Sequence, residues 1–226
     1  METASPTDSP AAHDHPAARA AQLHESVRKV RPADIPGVAR SLAEAFYDDP
    51  AFCHCFPNAA KRMDRVERGF DLFQRRIYLQ HEECYTTDGA VGGALWSPPG
   101  TWKLSALAQL RLLPAMAGAY RSDLPRVMRI LSFMEHYHPS EPHYYLGFLG
   151  VEPSSQGRGL GSALMRPVLE HCDREGVPAY TEASTPRNRA LYERHDFEVV
   201  EELELPGDGP PIWRMWRQPV AREAGS

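Results

Sequence analysis

Apolar residues recur at helical spacing early in the chain, where Ile35, Val38, Leu42, Ala45 and Phe46 mark one face of a helix. Asp34 stands where a carboxylate can cap it, and Asp48-Asp49-Pro50 stops it. A second helical stripe runs from about Lys61 through Met63, Val66, Phe70, Phe73 and Ile77. Ahead of both, Val27 to Arg31 reads as a short strand ending at Pro32. The period then changes from helical to alternating. Glu83 to Thr87 and Ala90 to Ser97 flank Asp88-Gly89, the strongest short hairpin signal, and predict two antiparallel strands closed by Pro98-Pro99-Gly100.

Two further helical stretches, Leu104 to Ala119 and Leu124 to Tyr137, form an insertion over about 103–138 that is expected to cover a substrate. In it Leu107, Leu110, Met128, Leu131 and Met134 are expected to face inward. His143 to Val151 is apolar and aromatic with few breaks, as a central strand buried on both faces would be. From Gly159 to about Glu175, Leu160, Ala163, Leu164, Val168 and Cys172 form one apolar stripe, and Gly176 terminates the helix. Ala179 to Ser184 is a strand and Arg187 to His195 a helix. Phe197 to Leu205 and Ile212 to Arg217 make a final strand pair. This order predicts an α/β chain with a mixed, α+β type sheet, and no internal repeat interrupts it.

Hydrophobic residues make up 42% and charged residues 24% of 226, so most of the chain can build a core. One domain over 26–219 is expected, with a disordered tail at 1–25, where Ala, Pro, Asp, Ser and His follow no period, and a flexible end at 220–226. A net charge of -5 and a pI near 6.1 leave no concentrated basic face, which excludes nucleic acid as the expected partner. Cys53, Cys55, Cys84 and Cys172 have neither disulfide nor zinc-knuckle spacing, and Cys53-His54-Cys55 lacks a second pair, so reduced thiols and no metal are expected. The N-terminus lacks a secretory pattern, and no run reaches the roughly 18 to 20 apolar residues that span a bilayer. A cytoplasmic protein without a membrane partner, monomeric or homodimeric, is the resulting expectation.

The chemistry concentrates at Gln156-Gly157-Arg158-Gly159-Leu160-Gly161. A strand ending at Val151 turns through this segment straight into a helix, so free backbone N–H groups and a positive helix end converge on one point. That is an anion site. Gly157, Gly159 and Gly161 leave room for a close-lying phosphate, and Arg158 can add a charge-assisted contact. A Walker loop is excluded because no Lys-Ser or Lys-Thr follows, and the GxGxG spacing fits a Rossmann fingerprint poorly. A structural turn without a ligand stays open on this segment alone.

The segment resembles the Q/R-x-x-G-x-G/A signature of the GNAT acetyltransferases, and Asn188 to Tyr192, followed by Phe197, resembles that superfamily's second signature. Val151-Glu152-Pro153, Gly176-Val177-Pro178-Ala179, Glu182 and Pro186-Arg187-Asn188 are further similar to its puromycin N-acetyltransferase branch. The resemblance implies a GNAT acyl-CoA N-acyltransferase fold: a six- to seven-stranded splayed mixed sheet flanked by helices, with acetyl-CoA wedged between the strand ending at Val151 and the strand 179–184. It implies that Leu149, Gly150 and Val151 offer backbone groups to the pantetheine and the oxyanion, that Gln156 to Ser162 hold the pyrophosphate, and that Asn188 contacts the pantetheine arm. His195-Asp196 departs from the usual pair before Phe197, altering a helix cap rather than the chemistry.

Acyl transfer to nitrogen needs a neutral amine, a polarised thioester carbonyl and a protonated leaving thiolate. Tyr192 is the candidate acid: a phenol near pKa 10 protonates a thiolate near 8.5 at a cost of about 2 kcal/mol. Its competing role is a core aromatic. Glu182 is the candidate base, which requires a carboxylate raised from its usual value or working through water; the competing role is an ion pair with Arg187 or Arg189. His136, His138, His143, Tyr144 and Tyr145 cluster before the central strand as candidates for the acceptor wall, with a surface turn as the competing reading; Phe46, Tyr47 and Asp49 are the other candidates, while Trp96 and Trp102 are expected in the core. The acceptor implied is a primary amine of a small molecule, antibiotic-like amines included. A non-catalytic acyl-CoA sensor and a protein acetyltransferase remain as alternatives.

Overall fold

The computed structural model describes residues 27–220. The expected tail at 1–25, and all but Val220 of the one at 220–226, lie outside the described residues. Seven strands form one sheet: β1 (Val27–Lys29), β2 (Cys84–Thr87), β3 (Gly92–Ser97), β4 (Tyr144–Val151), β5 (Ala179–Ala183), β6 (Glu198–Glu204) and β7 (Pro211–Arg217). Their order is β1-β2-β3-β4-β5-β7-β6, with all neighbours antiparallel except β4 and β5. The helices are α1 (Ile35–Ala45), α2 (Pro50–Cys55), α3 (Ala59–Phe73), α4 (Ala106–Tyr120), α5 (Leu124–Tyr137), α6 (Leu160–Glu175) and α7 (Pro186–Glu193).

Strand alternation divides the core. On β3, Ala94 and Trp96 pack toward α6, whose Leu164, Met165, Val168 and Cys172 are fully buried, while Leu95 packs toward α1 and α3. On β4 the alternation slips. Leu95 pairs with Phe148 but Trp96 pairs with Leu146, so Gly147 is an extra residue, a β-bulge. The slip puts Phe148 with the α1/α3 cluster while Leu146 and Leu149, three apart, share the α6 cluster. Gly147 is required there because a side chain would collide with the hydroxyl of Tyr78.

Parallel pairing of β4 with β5 covers Tyr144–Ala179, Tyr145–Tyr180 and Leu146–Thr181 and then stops. Beyond Leu146 the two strands part, and the sheet carries the splay that the family resemblance implied. From Gly147 to Val151 the edge of β4 that faces β5 has no strand partner.

Three local expectations are corrected. Asp34 does not cap α1; its carboxylate receives Arg28 at 2.6 and 2.9 Å and the Arg31 amide at 2.8 Å, which holds its pKa down to about 2. Asp88-Gly89 is not a two-residue turn: Asp88–Ala90 forms a single 3-10 turn with Gly89 and Ala90 at positive φ, and β3 starts at Gly92. After Pro50 the chain forms α2, which Asp49 caps by accepting the amides of Ala51 (2.9 Å) and Phe52 (3.3 Å). In the insertion, Leu107, Leu110 and Leu131 are 56%, 63% and 37% exposed, and Leu112, Met116, Tyr120 and Val127 are buried in their place. Pro114 lies inside α4, where the apolar residues run nearly all round, so the period alone did not select the buried face.

Candidate active site

Two cavities open into the splay and meet. The first, about 570 Å³, runs from the end of β4 across the glycine turn to α7. Leu149, Gly150, Val151, Gln156, Gly157, Gly159, Leu160, Gly161, Ser162 and Asn188 all line it. Gly157 (φ 76°) and Gly159 (φ 87°) occupy the left-handed region, so the turn needs glycine at both positions, and Gly159 is the N-cap of α6. The orphan amides of the first turn of α6 therefore face the cleft at the positive end of a helix of 16 residues. Gln156 braces the turn, donating from Nε2 to the carbonyl of Val151 (2.9 Å) and accepting at Oε1 from Arg187 (2.7 Å).

Arg158 is not part of this lining. Its guanidinium turns back to the carbonyl of Ser154 at 3.4 Å, and the cations on the cleft are Arg187 and Arg194. The departure at His195-Asp196 lies at a helix end, as expected, and His195 is outside the lining but touches one of its residues. Asp196 takes the left-handed conformation (φ 64°), and His195 Nε2 lies 2.8 Å from the hydroxyl of Ser162. The contact of His195 with Ser162 is not legible from spacing, because its partners are 33 residues apart.

The second cavity, about 560 Å³, lies between the sheet and α2 to α5. Phe46, Leu149, Asn188 and Tyr192 line both cavities, so they mark the junction. Tyr192 is buried, and the loss of hydration raises its phenol above its ordinary value, which keeps it protonated. Glu182 forms part of the second cavity's floor, and its Oε1 is buried without a hydrogen-bond partner. Desolvation pushes its pKa up to about 7, while the hydroxyls of Tyr180 and Tyr145 and the charge of Arg214 hold it from going higher. The expected alternative partners are engaged elsewhere: Arg187 with Gln156, and Arg189 with Glu193 at 2.7 Å. The neighbouring cation is Arg214, opposite Glu182 on β7, which ion-pairs with Glu201 at 2.6 Å.

The candidate acceptor wall divides. Phe46 and Tyr145 line the second cavity, and Asp49 lines the first, where it also accepts a short hydrogen bond from Ser184. Tyr47 lines neither; Arg62 lies over its ring at 5.2 Å and its hydroxyl donates to the carbonyl of Ala59. His143 is buried behind the wall, and the side chain in the cavity is that of His138, 3.0 Å from it. Trp96 is buried as expected, but Trp102 is not a core residue: it stacks on His138 at 3.6 Å and lines the cavity. Cys55 is buried and Cys53 half-buried, and no group of three or more metal-ligating side chains occurs among the described residues.

A divided sheet with a glycine-capped helix at the gap, a free strand edge and a buried phenol is the arrangement that the resemblance to acyl-CoA-dependent acyltransferases implied. Comparison with known proteins makes the class specific. The model of the acetyltransferase (GNAT) family matches residues 111–197. A Corynebacterium glutamicum structure, described as histone acetyltransferase HPA2 and related acetyltransferase, is 26% identical, covering 88% of this chain and 98% of its own with a TM-score of 0.66. An uncharacterized N-acetyltransferase of Schizosaccharomyces pombe is 24% identical over 208 residues, 86% of this chain and 83% of that protein. The polyamine N acetyltransferase of Drosophila melanogaster shares the fold at 15% identity, with a TM-score of 0.56 over 85% of this chain and 98% of its own. In these comparisons the chain is similar to GNAT-family N-acetyltransferases, and acetyl-CoA is the donor that family uses. Nothing in these likenesses reaches the puromycin branch.

Proposed function

We propose that the chain acetylates a primary amine of a small molecule by direct attack, with Glu182 as base and Tyr192 as acid. The observation that carries this reading is the junction: a cleft fitted to a pyrophosphate and a pocket floored by a carboxylate meet at Tyr192. Acetyl-CoA supplies the acetyl group as an activated thioester. The first amides of α6, with Arg187 and Arg194, are placed to hold its phosphates, and the free edge of β4 at Leu149 to Val151 to pair with its pantetheine. Glu182, near pKa 7, takes a proton from the entering ammonium. Amide N–H groups on the same β4 edge stabilise the charge that develops on the carbonyl oxygen. Tyr192 gives its proton to the departing sulfur, and the proton shed by the new amide nitrogen restores the phenol.

Helices α4 and α5 wall the pocket, which favours a small molecule over an extended protein segment. The Drosophila neighbour is described as forming N-acetylagmatine, so a small amine is an acceptor on this fold. Glu182 and the run around Asn188 resemble puromycin N-acetyltransferase, which places aminonucleosides in the proposed acceptor set. Purified protein should release CoA thiol from acetyl-CoA in the presence of members of an amine panel that includes puromycin. Tight CoA binding without thiol release from any amine would replace this reading with that of a sensor.

A further inference from the structure

The cleft is polar where it holds a pyrophosphate; the pocket beyond Tyr192 is built otherwise. Its inner wall is aromatic: Phe70 stands edge-on to Phe148 at 5.0 Å and stacks on Phe52 at 5.7 Å. Its outer wall, from α4 and α5, presents Met116, Met128 and Met134, unbranched side chains that repack around varied apolar shapes. Leu110 and Leu131, exposed to 63% and 37%, continue that surface to the mouth. Such apolar side chains gathered around an opening mark a surface that an apolar body covers. The volume, about 560 Å³, is that of a site for a drug-sized molecule.

The charge inventory is equally narrow. Two carboxylates belong to the lining, Glu182 and Glu135, and Glu135 is held by Lys103 at 2.7 Å. His138 adds no charge. The Nδ1–H of His143 is committed to the carbonyl of Glu141 at 2.6 Å, so its Nε2 accepts from His138, and burial favours the neutral form of both rings. Glu182 is thus the lining carboxylate left to meet a cation, and it lies beside the reacting end.

From this lining we infer that the acceptor carries a single positive charge, on the nitrogen to be acetylated, and an otherwise apolar, aromatic or aliphatic body. Polyamines and amino sugars are excluded. A second ammonium would lie among Phe, Leu and Met, losing its water, and the remaining lining carboxylate, Glu135, is already engaged by Lys103. This inference rests on the acetyltransferase reading above and concerns its acceptor end.

The test is a matched pair, hexylamine against 1,6-diaminohexane, with phenethylamine and spermidine as a second pair. Thiol release gives kcat/KM, and calorimetry on the CoA-loaded protein gives binding without turnover. The monoamine of each pair should be favoured by about tenfold or more in both measurements. Leu131→Glu, which places a carboxylate at the mouth, should shift the preference toward the diamine; the more exposed Leu110→Glu serves if that variant folds poorly. Diamines equal to or better than monoamines in turnover and binding would overturn the inference and leave the acetyltransferase reading standing. Absence of thiol release with every amine would overturn the latter instead, and the calorimetric preference would then decide the pocket's class by itself.

Discussion

The donor cleft and the acceptor pocket share Phe46, Leu149, Asn188 and Tyr192, yet they are made of different material. The cleft is mostly backbone: left-handed glycines, the first amides of α6 and an unpaired strand edge. The pocket is mostly side chain, contributed by α2 to α5 and by β4, β5, α7 and β7. A backbone site demands particular residues at fixed spacing, because only glycine fits its dihedrals. A side-chain site demands only that apolar groups of suitable size converge, and many sequences do that.

The sharpest break between the two would come from Tyr192→Phe. It removes a proton donor at the junction without touching the glycine turn, so turnover should fall about 100- to 1,000-fold while CoA affinity stays near that of the parent. Equal losses in both would show that Tyr192 serves the cleft as structure. Glu182→Gln belongs to the pocket side and should lower kcat/KM about 10- to 100-fold. In the parent, kcat/KM should rise with pH to a plateau above an apparent pKa near 7, and the variant should lose that limb. The same group has a stability signature. Its folded pKa lies above its ordinary 4.5, so the folded state binds the proton more tightly than the unfolded one. Stability should therefore fall as pH rises from about 4.5 to 7, and thermal melts of the variant should be flatter across that window.

On the cleft side, Gly159→Ala forces a Cβ into a left-handed residue that caps α6. A strain of about 1 to 2 kcal/mol should weaken CoA binding roughly 10-fold by calorimetry, with kcat less affected. The smallest effect separates two arginines. Arg187→Ala removes a cation from the lining and the brace on Gln156, and should weaken CoA about 3- to 10-fold. Arg158→Ala, whose side chain turns away, should change affinity less than about 2-fold.

Legibility in the sequence follows the same division. Element order and the α6 stripe could be read because long periodic segments with a terminal glycine leave little choice. The glycine turn could be read because its dihedrals restrict its composition. The bulge at Gly147 could not, although a lone glycine inside an aromatic strand was a signal, because its cause is the hydroxyl of Tyr78, 69 positions earlier by subtraction of the two residue numbers. The buried face of α4 was hidden for a related reason: its exposed Leu110 lines a cavity, and periodicity counts a cavity wall as core. Arg187 and His195 escaped because their roles depend on Gln156 and Ser162, partners that only the folded chain brings near.

The sheet is joined at its middle by three parallel register pairs, Tyr144 to Leu146 with Ala179 to Thr181. A donor bound as proposed, paired with the rest of β4 and with its phosphates on α6, would act as a fastener between halves of the sheet. Its concentration then sets how cooperatively the molecule unfolds: at a hundred times Kd the linkage contributes about 2.7 kcal/mol. Amide exchange from Leu149 to Val151 would report the fastening directly, and the lifetime of the folded chain would follow the supply of its own co-substrate.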